Sequence, residues 1–223
     1  MIRAGVLVSL LCALASVAWA DPTWREGDNY FLVQPAQPTS VAAGKVEVLE
    51  VFSYACPACN KYYPVIDKLK TLLGAKVQWR FLPAAWHAEE DWKNFQRAYF
   101  AAESLGIAER THDKIFDAVW KTRELAIIDP ATNQLKNPLP SLSDIAAYYE
   151  RIAKLKPGEF LAACHSFTVD AHMREADQQI KTYQVDETPS VVVNGKYRVT
   201  PRTAGGDDQF VALVQWLVKK ESK

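Results

Sequence analysis

Apolar and polar positions along the chain alternate with two different periods. Val46 to Tyr54 is β-branched, aromatic and close-set, as in a strand, and it leads straight into Cys56. From Pro57 to Leu73 the apolar residues Tyr62, Val65, Ile66, Leu69 and Leu73 recur with helical spacing, and Gly74 stands where a helix would stop. Val77 to Leu82 returns to strand character, which gives a strand-helix-strand unit with a right-handed crossover between parallel strands. A weaker edge strand is expected at Asn29 to Val33.

After Pro83 the pattern turns helical and stays so: Trp92, Phe95 and Tyr99, then Ile115, Val119 and Trp120, then Ile145, Tyr148 and Ile152. One further helix is expected from about Glu159 to Tyr183, carrying Phe160, Cys164, Phe167 and Met173. Ser190 to Val193 and Lys196 to Val199 flank Asn194-Gly195, the dipeptide of a tight hairpin. The chain closes on an amphipathic helix with Phe210, Leu213, Val214 and Leu217 on one stripe, started by Gly205-Gly206-Asp207-Asp208.

Residues 1–20 read as a cleavable export signal: Arg3 is the positive start, Ala4 to Val17 is almost wholly apolar, and Ala18-Trp19-Ala20 offers small cleavage residues. Leu11 stands where a lipid-attachment site at Cys12 would want a small residue, so Cys12 is expected to leave with the signal. The remainder, from Asp21, suits one large domain or a domain carrying an insertion better than two independent ones. It balances 25 Lys and Arg against 26 Asp and Glu, with no basic cluster, which argues against nucleic-acid and acidic-membrane partners.

Export places Cys56, Cys59 and Cys164 in an oxidising compartment. Cys56 and Cys59 are the natural pair, yet a loop so short constrains the unfolded chain little, so chemistry explains the bond better than stapling does. At a strand-to-helix junction Cys56 gains free backbone N–H groups and the positive end of the helix dipole, which favour its thiolate. Pro57 suits the opening turn and Cys59, three residues on, closes or resolves the bond. The competing reading is a structural metal site completed by Cys164 and His165, although a second pair of similar spacing is absent.

Glu50 falls among apolar neighbours on the strand. It is either a desolvated acid able to trade a proton with Cys59 or a carboxylate paired with a lysine at the sheet edge. Thr188-Pro189, just before a strand, is ordinarily an edge or turn marker. His87, near the start of the helical block, is a candidate to approach the cysteines.

Phe52-Ser53-Tyr54-Ala55-Cys56-Pro57-Ala58-Cys59 after a strand, with Thr188-Pro189 leading into Val193-Asn194-Gly195-Lys196-Tyr197, resembles the DsbA-type periplasmic oxidoreductases over essentially all of Asp21 to Lys223. The resemblance implies an α/β fold: a thioredoxin-like domain from 21–85 and 184–223, with an inserted all-helical domain at 86–183. It implies catalysis by Cys56 and Cys59, tuning by Pro57, Ala58 and the buried acid Glu50, and substrate binding at Thr188 and a cis Pro189. It implies donation of the disulfide to newly exported, reduced proteins, re-oxidation by a DsbB-like membrane quinone reductase, and no bound cofactor or metal.

Two positions depart from the best-known member. Ala58 replaces a His, which points to a less oxidising couple, and Thr188 replaces a Val, as in isomerases. The alternatives are therefore an isomerase or reductase of the same superfamily, or a thioredoxin-fold module that binds metal or peptide without turnover. Asp21 to Gly44 is too short for the dimerisation domain of DsbC-type isomerases, and a monomer is expected.

Overall fold

The computed structural model describes residues 24–222; the expected signal segment, Cys12 and the expected start at Asp21 lie outside the described residues. Five strands form one sheet in the order β1-β5-β4-β2-β3. The central strand β2 (Val46–Phe52) is buried at every position, which explains why its apolar run barely alternates. It pairs in parallel with β3 (Val77–Pro83), from Val46 opposite Val77 to Phe52 opposite Pro83, and antiparallel with β4 (Ser190–Val193). The hairpin from β4 to β5 (Tyr197–Val199) turns at Asn194 and Gly195, both at positive φ, and β1 (Phe31–Leu32) closes that edge. At Gly195 a side chain would meet the Gln37 carbonyl oxygen at 2.2 Å, so glycine is required for space as well as for φ.

Helix α1 (Pro57–Leu73) joins β2 to β3 and ends at Gly74 as its spacing predicts; it runs through Pro64. Between β3 and β4 lie α2 (Trp92–Ser104), α3 (Ala108–Trp120), α4 (Leu142–Ala153), α5 (Glu159–Cys164) and α6 (Phe167–Thr182). After β5 come the short α7 (Pro201–Ala204) and α8 (Asp207–Glu221). The face of the sheet bearing Val46, Val48, Val191 and Val193 packs on Ile66 and Leu69 of α1 and on Phe210, Leu213, Val214 and Leu217 of α8. Leu49, Val51 and Val192 point the other way, into a core shared with α2 to α6. No helix among the described residues is long and apolar enough to cross a membrane.

The single helix expected from about Glu159 to Tyr183 is two. The chain breaks at His165, and the Ser166 hydroxyl caps α6 by accepting from the Val169 N–H at 3.3 Å. A serine at a cap competes with continued helix because its oxygen replaces the missing intrahelical acceptor. Cys164 and Phe167 consequently sit on different helices: Cys164 is buried, whereas Phe167 is 80% exposed.

Candidate active site

The site forms where β2 gives out. Beyond Phe52 the backbone turns, with the Cys56 N–H donating to the Ser53 carbonyl at 3.2 Å and the Ala55 N–H to the Ser53 hydroxyl at 3.2 Å. Cys56 is the N-cap of α1, extended at φ −80° and ψ 118°, and Pro57 takes the first helical position. The Cys56 sulfur occupies the place of a capping oxygen: the Cys59 N–H donates to it at 3.3 Å.

From the other end of the chain the Thr188 hydroxyl donates to the same sulfur at 3.2 Å, and the Thr188 carbonyl lies 3.6 Å from it. The Thr188-Pro189 peptide bond is cis. Pro57 and Ala58 are exposed, Cys56 is 5% exposed and Cys59 is 2% exposed. All three described cysteines are free thiols.

These contacts divide the two thiols. Cys56 is held down to about 6, first by the hydrogen bond from the Cys59 thiol, then by Thr188 and the N–H groups of Cys59 and Ala58, against the opposing effect of burial. Cys59 is pushed well above the ordinary thiol range, chiefly by burial. One sulfur is thus a thiolate at neutral pH and its neighbour a thiol, the division disulfide exchange needs. The helix start contributes through specific N–H donors, as the strand-helix junction predicts.

Glu50, six residues before Cys56, is buried at 3% exposure on β2, between β3 and β4 and not at the sheet edge. Burial pushes its carboxyl up to about 8, with Lys70 on α1 pulling partly the other way. Its Oε2 has no hydrogen-bond partner, and its charge in turn acts on Cys59. The strand glutamate with an ion pair is Glu47, which meets Arg80 at 3.0 Å.

An open cleft of about 450 Å³ exposes the Cys56 side of the site, with Pro57, Ala58, Trp86, His87, Glu90, Trp92, Asp186, Glu187 and Thr188 around it. His87 therefore reaches the cysteines' cleft; its Nδ1 lies 3.2 Å from Glu89. Among the described residues His87, Glu89 and Glu90 are the one group of three potential ligands within 4.8 Å of one another, so Cys164 and His165 do not join the cysteine pair in such a group.

No protein-family model matches the chain. Thiol:disulfide interchange protein DsbA of Pseudomonas aeruginosa is 30% identical over 220 residues, covering 97% of this chain and 96% of the relative. The chain belongs to the DsbA family. The DsbA of Burkholderia cepacia is 29% identical over 213 residues, covering 96% and 92% of the two chains. Crystal structures agree: the oxidoreductase DsbA from Xylella fastidiosa superposes with a TM-score of 0.75 at 26% identity over 91% of this chain and 98% of that one. P. aeruginosa DsbA gives 0.72 at 29% identity, over 89% and 94%. The α/β thioredoxin fold and the disulfide oxidoreductase class expected from the two motifs are those of this DsbA family.

Two residues that touch the loop before Cys56 escaped the sequence reading. His112 places Nδ1 2.9 Å from the Tyr54 hydroxyl, and Trp120, read only as part of a helical repeat, donates its indole N–H to the Tyr54 carbonyl at 2.7 Å. Both pairings span more than fifty residues, and no local pattern announces them.

Proposed function

We propose that this DsbA-family protein is a periplasmic dithiol oxidase in which Cys56 is the exchanging sulfur and Cys59 its resolving partner. The observation that carries the reading is the Cys56 sulfur receiving hydrogen bonds from the Cys59 amide and the Thr188 hydroxyl together. Such donors stabilise the thiolate, and a stabilised thiolate is a good leaving group.

A thiolate of a reduced, newly exported protein attacks the Cys56 sulfur of the disulfide form. The Cys56–Cys59 bond breaks, its electron pair goes to the Cys59 sulfur, and a mixed disulfide to Cys56 forms. A second substrate thiolate then attacks the substrate sulfur, and Cys56 leaves as the thiolate. The substrate has lost two electrons to the enzyme and two protons to solvent, and the enzyme is left with a Cys56 thiolate beside a Cys59 thiol. Glu50, protonated at neutral pH by its burial, passes its proton to Cys59 as that sulfur leaves and regains one from solvent.

Pro57 and Ala58 leave the approach to Cys56 open and bring no cationic side chain to it. The Thr188 backbone, beside the sulfur and ahead of Pro189, offers a strand-like edge to a substrate segment. Residues 86–183 serve as an inserted helical domain walling one side of the cleft through Trp86, His87 and Trp92. The resting enzyme works as a monomer, needs no bound cofactor, and returns to the disulfide form through a DsbB-like membrane quinone reductase.

The test is transfer to a reduced, unfolded disulfide protein. The oxidised chain should generate substrate disulfides while one Cys56–Cys59 bond is lost per bond formed. Cys56→Ser should abolish transfer, and Cys59→Ser, with Cys56 first converted to its mixed disulfide with glutathione, should exchange the glutathione for a substrate thiol and accumulate a Cys56–substrate mixed disulfide. Transfer by Cys56→Ser at the parent rate would refute the assignment.

A further inference from the structure

The loop that presents Cys56 is gripped at both ends of one residue by a single helix of the helical block. Tyr54, two residues before Cys56, lies in the turn that follows β2 and is 1% exposed. Beyond the end of the strand its carbonyl has no sheet partner, and a buried carbonyl without one is costly. The Trp120 indole N–H, at the last position of α3, meets it at 2.7 Å. Eight residues earlier on α3, His112 meets the hydroxyl of the same tyrosine at 2.9 Å.

The His112 contact is enclosed. The imidazole is 4% exposed and its ring centre lies 4.2 Å from Phe81, 5.0 Å from Phe52 and 5.3 Å from Phe116. Phe52, Phe95 and Phe116 pack around the Tyr54 ring, at 5.0, 6.3 and 5.0 Å. Burial and Lys70 hold His112 down to about 3, so a neutral imidazole faces a neutral phenol and one proton bridges them.

We infer that His112 and Trp120 are positioning residues for disulfide exchange: through Tyr54 they fix the Ser53–Cys56 turn so that the Cys56 sulfur stays within reach of the Cys59 amide and the Thr188 hydroxyl. The two donors to that sulfur are at 3.3 and 3.2 Å, and hydrogen bonds weaken steeply with misplacement, so a small shift of the turn costs thiolate stabilisation. Through Tyr54 the helical block thereby sets the reactivity of the Cys56 thiol. The inference rests on Cys56 being the exchanging sulfur.

The test is the titration of Cys56 in the dithiol form, followed by thiolate ultraviolet absorbance, beside thermal melts. Trp120→Phe keeps an aromatic ring and removes the N–H; His112→Leu removes the imidazole; Tyr54→Phe removes the hydroxyl from the opposite side. Each should raise the Cys56 pKa by roughly half to one unit. Tyr54→Phe combined with His112→Leu should go no further than either alone, and His112→Asn, which can restore a polar atom near Nδ1, should recover most of the parent value. If His112→Leu fails to fold, Tyr54→Phe and Trp120→Phe carry the same test. A parent near 6 with folded variants that titrate like it overturns the inference alone. A parent near 9 overturns the functional reading and this inference with it.

Discussion

The Thr188 hydroxyl donates to the Cys56 sulfur at 3.2 Å across 132 residues of sequence. Only folding brings the two together: the cysteine leaves the central strand at one end of the chain, and the threonine enters the neighbouring strand from the other. Thr188→Val keeps the shape and deletes the donor. The expected result is a Cys56 pKa raised by roughly one unit, since hydrogen bonds to a charged group are the stronger kind. Thiolate absorbance measured against pH checks it.

The two redox forms should diverge in stability as pH rises. The folded pKa of Cys56 is depressed from 9.0 to about 6, so the dithiol form gains stability that is complete above 9 and is lost as pH falls through about 6. The disulfide form has no such thiol. Thermal or denaturant unfolding of both forms should therefore show the dithiol gaining on the disulfide between pH 6 and 9, by on the order of 4 kcal/mol, with no change below 6.

Glu50 acts with the opposite sign. Its folded pKa is raised from 4.5 to about 8, so the parent is most stable below 4.5 and loses stability as pH climbs to about 8. Glu50→Gln should flatten that decline and be the more stable protein at pH 8, by on the order of 4 kcal/mol. The same variant should exchange disulfides more slowly at neutral pH because Cys59 loses its proton partner. Stopped-flow exchange rates that match the parent at every pH would remove the relay role.

Cys164 should be chemically silent. Burial pushes its thiol up to about 12, and its carbonyl accepts from Arg97 at 2.7 Å, which ties α5 to α2. Iodoacetamide applied near neutral pH to the native dithiol form should modify Cys56 fast and Cys164 only after unfolding. Peptide mass mapping distinguishes the three sites.

Much of this architecture is legible in the chain because its determinants are local. Val46 to Phe52, the Cys56-Pro57 junction, Gly74 and Asn194-Gly195 each fix their own geometry within a few residues, and the structure places α1 at Pro57–Leu73. Ser166 is local too, and its capping oxygen divides what the apolar spacing alone joins into one helix. The glutamates on β2 show the limit. Periodicity puts Glu50 and Glu47 on opposite faces but does not say that β2 is covered on both, so both are buried and only Glu47 has an ion pair. His112 and Trp120 illustrate the same limit more sharply: their helix is legible, but its docking against Tyr54 depends on the packing of the whole block.

The equilibrium of the Cys56–Cys59 pair with glutathione bears most directly on the idea that a hydrogen-bonded Cys56 thiolate makes the disulfide easy to give away. Across glutathione buffers of known redox potential, the protein should become half dithiol at a potential above about −200 mV, having passed its disulfide on. A pair still predominantly oxidised at about −250 mV would contradict the account, because its disulfide would then be too stable to donate.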